Sequence, residues 1–283
     1  EEIKRFLRAL KDIYGDNLTE NVGKRHDYLG MELDFSSEGR VIINMTKYIR
    51  KIIEDFPEEI LGKQATPAGD HLFKIREDGR KLHEEQANAF HHAVYQLLFV
   101  ANRARRDIQT VVSFLTTRVK EPDEDDWGKL KRVLKYLHSI RHLPLSLSAD
   151  SLSTIIWYVD ASHQTHDDCK GHTGSLLTFG KGATTSTSTK QKIPSKSSTE
   201  SELIGLYDKS SDILWTRHFL EAQGYNITEN IIYQDNMSTL SLEKNGRLSS
   251  SKRTKHIKAK YFFIKHYYDT GEINLRYCPT EHM

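Results

Sequence analysis

Cysteine is nearly absent from this chain. Cys169 and Cys278 are its only two, too few and too far apart for a disulfide scaffold, and such scarcity fits a reducing compartment. No apolar run approaches the ~18 residues that a bilayer-spanning helix needs, so no membrane segment is expected. The amino end, EEIKRFLRALKDIY, is acidic, then basic and amphipathic, which is not the pattern of a secretory leader. An excess of one charge is lacking too. With 41 Lys+Arg against 39 Asp+Glu the net charge is +2, so bulk electrostatics select no partner. The chain starts without methionine and stops at TEHM with no terminal signature, and we expect a piece of something longer.

What remains is a globular composition, 37% hydrophobic and 28% charged, on a chain long enough for two domains of ordinary size. Local charge says more than net charge. Between Arg247 and Lys260 stand six cations (Arg247, Lys252, Arg253, Lys255, Lys258, Lys260) and His256, with no acid. A block of this kind at a helix start suits phosphate contacts, with Lys252, Arg253, Lys255, His256 and Lys258 as candidate nucleic-acid-binding residues. It is also the composition of an ordinary solvated face.

Periodicity divides the chain near residue 150. Ile3, Phe6, Leu7 and Leu10 mark an amphipathic helix. YLGMELDF and VIINM flank a Gly-containing turn and read as a hairpin, and TKYIRKIIEDF reads as a helix ended by Pro57. Three helical stripes follow: Phe90, Val94, Leu97, Leu98 and Ala101; then Ile108, Val111, Val112 and Leu115; then Trp127, Leu130, Val133, Leu134, Leu137 and Ile140. Asp123–Asp126 precede the third stripe, where carboxylates cap free N–H groups and oppose the helix dipole. Residues 143–153 read as a linker. Beyond them, STIIWYVD, HTGSLLTF, GATTSTST, NIIYQD and EINLRYC read as strands. Helices fall at about Thr199–Gln223, from Met237, and along Ile257, Tyr261, Ile264 and Tyr268. The order β-β-β-α-β-α-α-β predicts an α/β fold, a mixed sheet covered by helices.

Within that fold Asp160 follows the strand IIWYV and Asp235 follows IIYQ, so both carboxylates sit at carboxyl ends of buried strands, where α/β sheets place their sites. If the strands are parallel neighbours the two acids come close, and a divalent cation relieves their repulsion. The long helix offers Glu200 and Glu202. At about 100° per residue Glu202 shares the stripe of Leu206, Ile213 and Leu220, which must face the sheet, while Glu200 falls toward solvent. A capping box is the competing account of Glu202. Three carboxylates around two magnesium or manganese ions could activate a water and stabilise the leaving oxygen of a phosphodiester.

YVDAS at 158–162, KSSTESELIGL at 196–206, IIYQDN at 231–236 and RTKHIKAKYFFI at 253–264 resemble the ribonuclease H region of Ty1/copia-type retrotransposon polyproteins. Upstream, HDYLGMELDF, FHHAVYQLLFVANRARRDIQTVVSFLTTRV and DWGKLKRVLKYL are similar to the segment after the polymerase active site in the same family. The resemblance implies a ribonuclease H-like mixed sheet with helices on both faces over 151–283. It implies the palm end and a thumb- or connection-like region of a reverse transcriptase over 1–150. It also implies a Mg2+ (or Mn2+) site in which Asp160 is the first-strand aspartate, Glu202 the helix glutamate and Asp235 the fourth-strand aspartate. The implied activity is endonucleolytic cleavage of the RNA strand of RNA–DNA hybrids during reverse transcription. The implied partners are the hybrid and the remainder of the polyprotein, in cytoplasmic virus-like particles or the nucleus, with no membrane.

Three departures stand out. The Tyr-x-Asp-Asp polymerase turn does not occur, so no DNA synthesis is expected. The family's fourth ribonuclease H aspartate would fall after CPTEHM, past Met283, which bears on whether three carboxylates suffice. Arg106 stands where the family usually has proline. The runner-up function is a non-catalytic nucleic-acid-binding remnant of a decayed element, and a purely structural connection module comes third. His163, His166 and His172 lack the paired spacing of a zinc site. Trp127, Trp157 and Trp215 all sit in apolar patterns and are expected in the core.

Overall fold

A computed structural model describes residues 2–245 and 258–283. Its buried apolar side chains gather into two clusters, one drawn from Met45 to Leu137 and one from Ile155 to Leu275.

The first begins with α1 (Glu2–Tyr14), whose apolar stripe buries nothing. The expected hairpin is instead a three-stranded meander of β1 (Arg25–Tyr28), β2 (Met31–Asp34) and β3 (Arg40–Asn44). The YLGMELDF run folds back on itself at Leu29 and Gly30, which take φ of 49° and 75°. Two left-handed residues in a row match the type I′ turn that tight hairpins favour. Next come α2 (Thr46–Glu54), α3 (Glu84–Ala101), a single 3-10 turn Arg106–Ile108 leading into α4 (Gln109–Thr116), and α5 (Glu124–Ser139). The three helical stripes interlock, with Phe90, Val94, Leu97, Val112, Leu115, Leu130, Val133, Leu134 and Leu137 all fully buried. Burying each such side chain is worth roughly 1.5–3 kcal/mol.

The stretch read as a linker is a strand. β4 (Leu145–Ala149) pairs antiparallel with β3, Leu145 opposite Ile43 and Leu147 opposite Val41. Its LSLSA alternation is a strand period, with leucines on one face.

The second cluster lies under β5 (Thr154–Ser162), β6 (Lys170–Thr178), β8 (Thr185–Pro194), β9 (Glu229–Gln234) and β10 (Asn274–Tyr277), in the sheet order β10-β9-β5-β6-β8. Strands β5, β9 and β10 run parallel, while β6 pairs antiparallel with both β5 and β8. This is the expected mixed sheet. Between β6 and β8 the Gly-Lys-Gly segment forms a two-residue strand, β7 (Gly180–Lys181), which pairs with β4 and so joins the first sheet. Helix α6 (Ser198–Ala222) is the parallel crossover and covers one face with Leu203, Leu206 and Ile213. Helices α7 (Met237–Asn245) and α8 (Lys258–Asp269) pack beside it. On the opposite face α4 lies against β8, where the Ser113 hydroxyl donates to the Ser188 carbonyl at 2.5 Å. The mixed α/β fold read from the sequence is the fold observed.

Candidate active site

Strands β5 and β9 pair only as far as Tyr158 opposite Tyr233, whose rings stack with centroids 5.1 Å apart. Two residues past Tyr158 along β5 stands Asp160, and just past the end of β9 stands Asp235. Glu202 reaches them from the first turns of α6. The carboxylate oxygens of Asp160, Glu202 and Asp235 come within 4.8 Å of one another. Glu202 is buried and Asp160 reaches solvent, so the cluster opens to one side. The periodicity that set Glu202 toward the aspartates is thus matched by its position.

No Lys or Arg among the described residues pairs with any of the three. Burial first, then the charge of Asp160, pushes Glu202 up to about 8. Burial and the charge of Asp235 also raise Asp160. Like-charged acids crowded out of water hold protons that a cation would displace. Neutral groups orient them. The Gln234 amide donates to Glu202 Oε2 at 3.2 Å, the Ala161 backbone N–H donates to Glu202, and the Thr280 hydroxyl donates to Asp235 Oδ2 at 2.7 Å. Sequence reasoning missed Gln234 and Thr280. The only signal for Gln234 was its place inside the strand before Asp235. Thr280 comes close through chain geometry alone.

Glu200 does not face solvent. It is 8% exposed and accepts the Lys196 backbone N–H at 3.0 Å, while its own N–H donates to the N-cap hydroxyl of Ser197. The helix cap therefore belongs to Glu200, two positions earlier than the competing account of Glu202 supposed. Asp123 and Asp126 do form a capping box on α5. Trp215 is not core: it is 64% exposed and stacks on Phe219.

The histidines cluster without a metal arrangement. His166 Nε2 lies 3.1 Å from His172 Nδ1, and His172 Nε2 lies 2.6 Å from Ser188 Oγ. Both rings pack on Phe73, and burial pulls His172 down to about 4. Among the described residues the acid trio is the one cluster of this kind able to hold a cation. Of the basic segment, Lys252, Arg253, Lys255 and His256 lie outside the described residues, and Lys258 is the first residue of α8.

A five-stranded mixed sheet covered by a long crossover helix is a ribonuclease H-like fold. Over 267 residues the chain is 27% identical to a retrovirus-related Pol polyprotein from transposon TNT 1-94 of Nicotiana tabacum, covering 92% of the chain and 20% of that protein. It is 30% identical over 189 residues to a putative transposon Ty5-1 protein of Saccharomyces cerevisiae, covering 66% of the chain and 59% of that protein. No family model matches. Among solved structures, a foamy viral protease-reverse transcriptase in complex with RNA/DNA hybrid shares the fold. It has a TM-score of 0.50 and 12% identity, over 99% of this chain and 33% of that one. The chain is thus similar to retrovirus-related Pol polyproteins of transposons, and it spans about a fifth of the first of them.

Proposed function

We propose that the chain is the ribonuclease H part of a retroelement reverse transcriptase, residues 151–283, joined to the end of its polymerase region, residues 1–150. It hydrolyses the RNA strand of RNA–DNA hybrids endonucleolytically during reverse transcription. Its setting is the parent polyprotein, in cytoplasmic virus-like particles or the nucleus. The observation that carries this is the trio of Asp160, Glu202 and Asp235 within 4.8 Å, which no Lys or Arg among the described residues pairs with.

The donor set is all oxygen, which fits hard cations such as Mg2+ or Mn2+. Two such ions would supply a nucleophile from water and charge stabilisation at the leaving oxygen. The chain's own residues do the positioning. Gln234 and the Ala161 N–H fix Glu202, and Thr280 fixes Asp235. Glu202 must surrender its proton before it can bind a cation, so loading strengthens as pH rises toward 8. Lys252, Arg253, Lys255, His256 and Lys258 are the proposed contacts to the hybrid backbone.

The test is cleavage of a labelled RNA–DNA hybrid in Mg2+ or Mn2+, with EDTA as control and Asp235→Asn as the variant. Cutting of the RNA strand alone is expected, abolished by EDTA and reduced roughly 10^3-fold or more by Asp235→Asn, with an unchanged circular dichroism spectrum. Hybrid binding with no cutting in either metal would replace this function with the non-catalytic binding one.

A further inference from the structure

Beside the acid trio lies an open groove of about 350 Å³, lined by Asp160 and by Arg106, Gln109 and Thr110 of the upstream region. Its floor is hydroxyl-rich, from Ser175 on β6 to Ser186 and Ser188 on β8. Most of these groups satisfy one another: Ser175 with Thr187 at 2.7 Å, and Ser188 with Thr110 at 3.2 Å. Three buried polar atoms do not. Arg106 Nε, Gln109 Oε1 and Ser186 Oγ have no hydrogen-bond partner, and Gln109 is only 8% exposed. Buried polar atoms in native proteins are almost always paired, so three unpaired atoms on side chains that line one groove ask for a ligand.

Their chemistry selects it. Arg106 is anchored across the junction, NH1 donating to the Ala101 carbonyl at 3.2 Å and NH2 to the Thr184 carbonyl at 2.9 Å. Its guanidinium is held in one place with Nε left over, and burial depresses its affinity for its own proton, a penalty that an anion reverses. Gln109 Oε1 can only accept. A phosphate needs donors and offers none, so it fits Arg106 and not Gln109 Oε1. A 2′-hydroxyl both donates and accepts. A cationic donor next to a neutral acceptor therefore matches a phosphate beside a 2′-hydroxyl, which RNA offers and DNA does not.

We propose that this groove holds the ribose–phosphate backbone of the RNA strand next to the cleaved bond, with Arg106 on a phosphate and Gln109 on a 2′-hydroxyl. The site rests on the ribonuclease H function and deepens it, because the upstream region then contributes to recognising RNA.

The experiment is fluorescence anisotropy of the full chain with a labelled RNA–DNA hybrid and a DNA duplex of the same sequence. Ca2+ replaces Mg2+ to suppress cutting, and salt is varied. Arg106→Ala should weaken hybrid binding about 10-fold and reduce the salt slope by about one, with Arg106→Lys recovering the slope. Gln109→Leu should weaken the hybrid about 5-fold and leave the DNA duplex unchanged. Wild-type hybrid affinity in Arg106→Ala, or equal loss on both ligands in Gln109→Leu, overturns the proposal. Should thermal melts show those variants misfolded, Ser186→Ala decides: its hydroxyl has no bond to lose, and about 3-fold weaker hybrid binding is expected, against none if the groove is empty of RNA. A wild-type chain that binds no hybrid overturns the parent function as well. One that cuts hybrid while every groove variant behaves as wild type overturns the groove alone.

Discussion

Asp123 with Asp126, and Asp160 with Glu202 and Asp235, are both groups of crowded acids, yet their surroundings differ in kind. At the head of α5 each carboxylate accepts the other residue's backbone N–H, at 2.9 and 3.1 Å. Arg118 reaches both, at 2.9 and 3.4 Å, and the neighbouring Asp125 is met by Lys129 at 2.8 Å. That cluster is complete within the fold. The strand-end trio has an amide, a hydroxyl and a backbone N–H for company, and no cation among the described residues. Closeness of carboxylates thus says little about a site. What distinguishes one is charge that the described residues leave unmatched.

Three perturbations press on this contrast. The largest is Arg118→Ala, which strands two buried carboxylates and should cost ~3–5 kcal/mol. In differential scanning calorimetry that corresponds to a loss of ~10 °C, which added Mg2+ should not restore. Rescue by Mg2+ would show that the α5 cluster also takes cations and would erase the distinction.

The second effect concerns pH. Glu202 holds its proton to about 8 in the folded chain against an ordinary 4.5, so between those values the folded state binds the extra proton. Without metal, stability should therefore fall as pH rises from about 4.5 to 8. Melting temperature in EDTA should drop by on the order of 5 °C across that window. Glu202→Gln should flatten the slope, and Mg2+ at pH 8 should raise the wild-type melting point. A flat profile in the wild type would mean the trio is matched after all.

The smallest effect separates two acids on one helix. Glu200→Ala removes a cap worth ~1 kcal/mol, and hybrid cleavage should stay within about twofold of wild type. Loss of cleavage with normal stability would move Glu200 into the chemistry.

Much of this architecture was legible because burial imposes period. The stripes of α3, α4 and α5 needed only the spacing of Phe90, Val94 and Leu97 or of Leu130, Leu134 and Leu137. The mixed sheet followed from the order of apolar runs. Glu202 could be oriented because Leu206 and Ile213 must face the sheet. Non-local pairing hid the rest. β4 looked like a linker because its partner, β3, lies far back in the chain. The fold at Leu29–Gly30 was masked by continuous apolar character. Glu200 was misplaced because a helical wheel knows the axis of α6 but not the loop at 195–197 that closes over its first turn. Trp215 was misplaced because an apolar pattern cannot reveal that its side of α6 is exposed.

Strand β7 has a consequence for anyone dividing the molecule. Two glycines let it approach β4: at Gly182 a Cβ would come within 2.2 Å of the Ser146 carbonyl oxygen, and at Gly180 within 2.7 Å of Asp150. A cut after residue 150, where sequence places the domain border, removes this ribbon from the sheet it completes. The amino-terminal piece is then left with Ser148 and Ala149 of β4 unpaired on their outer side, a bare edge of the kind that templates pairing with another chain. The place that looks like a seam in the sequence is, in space, a weld.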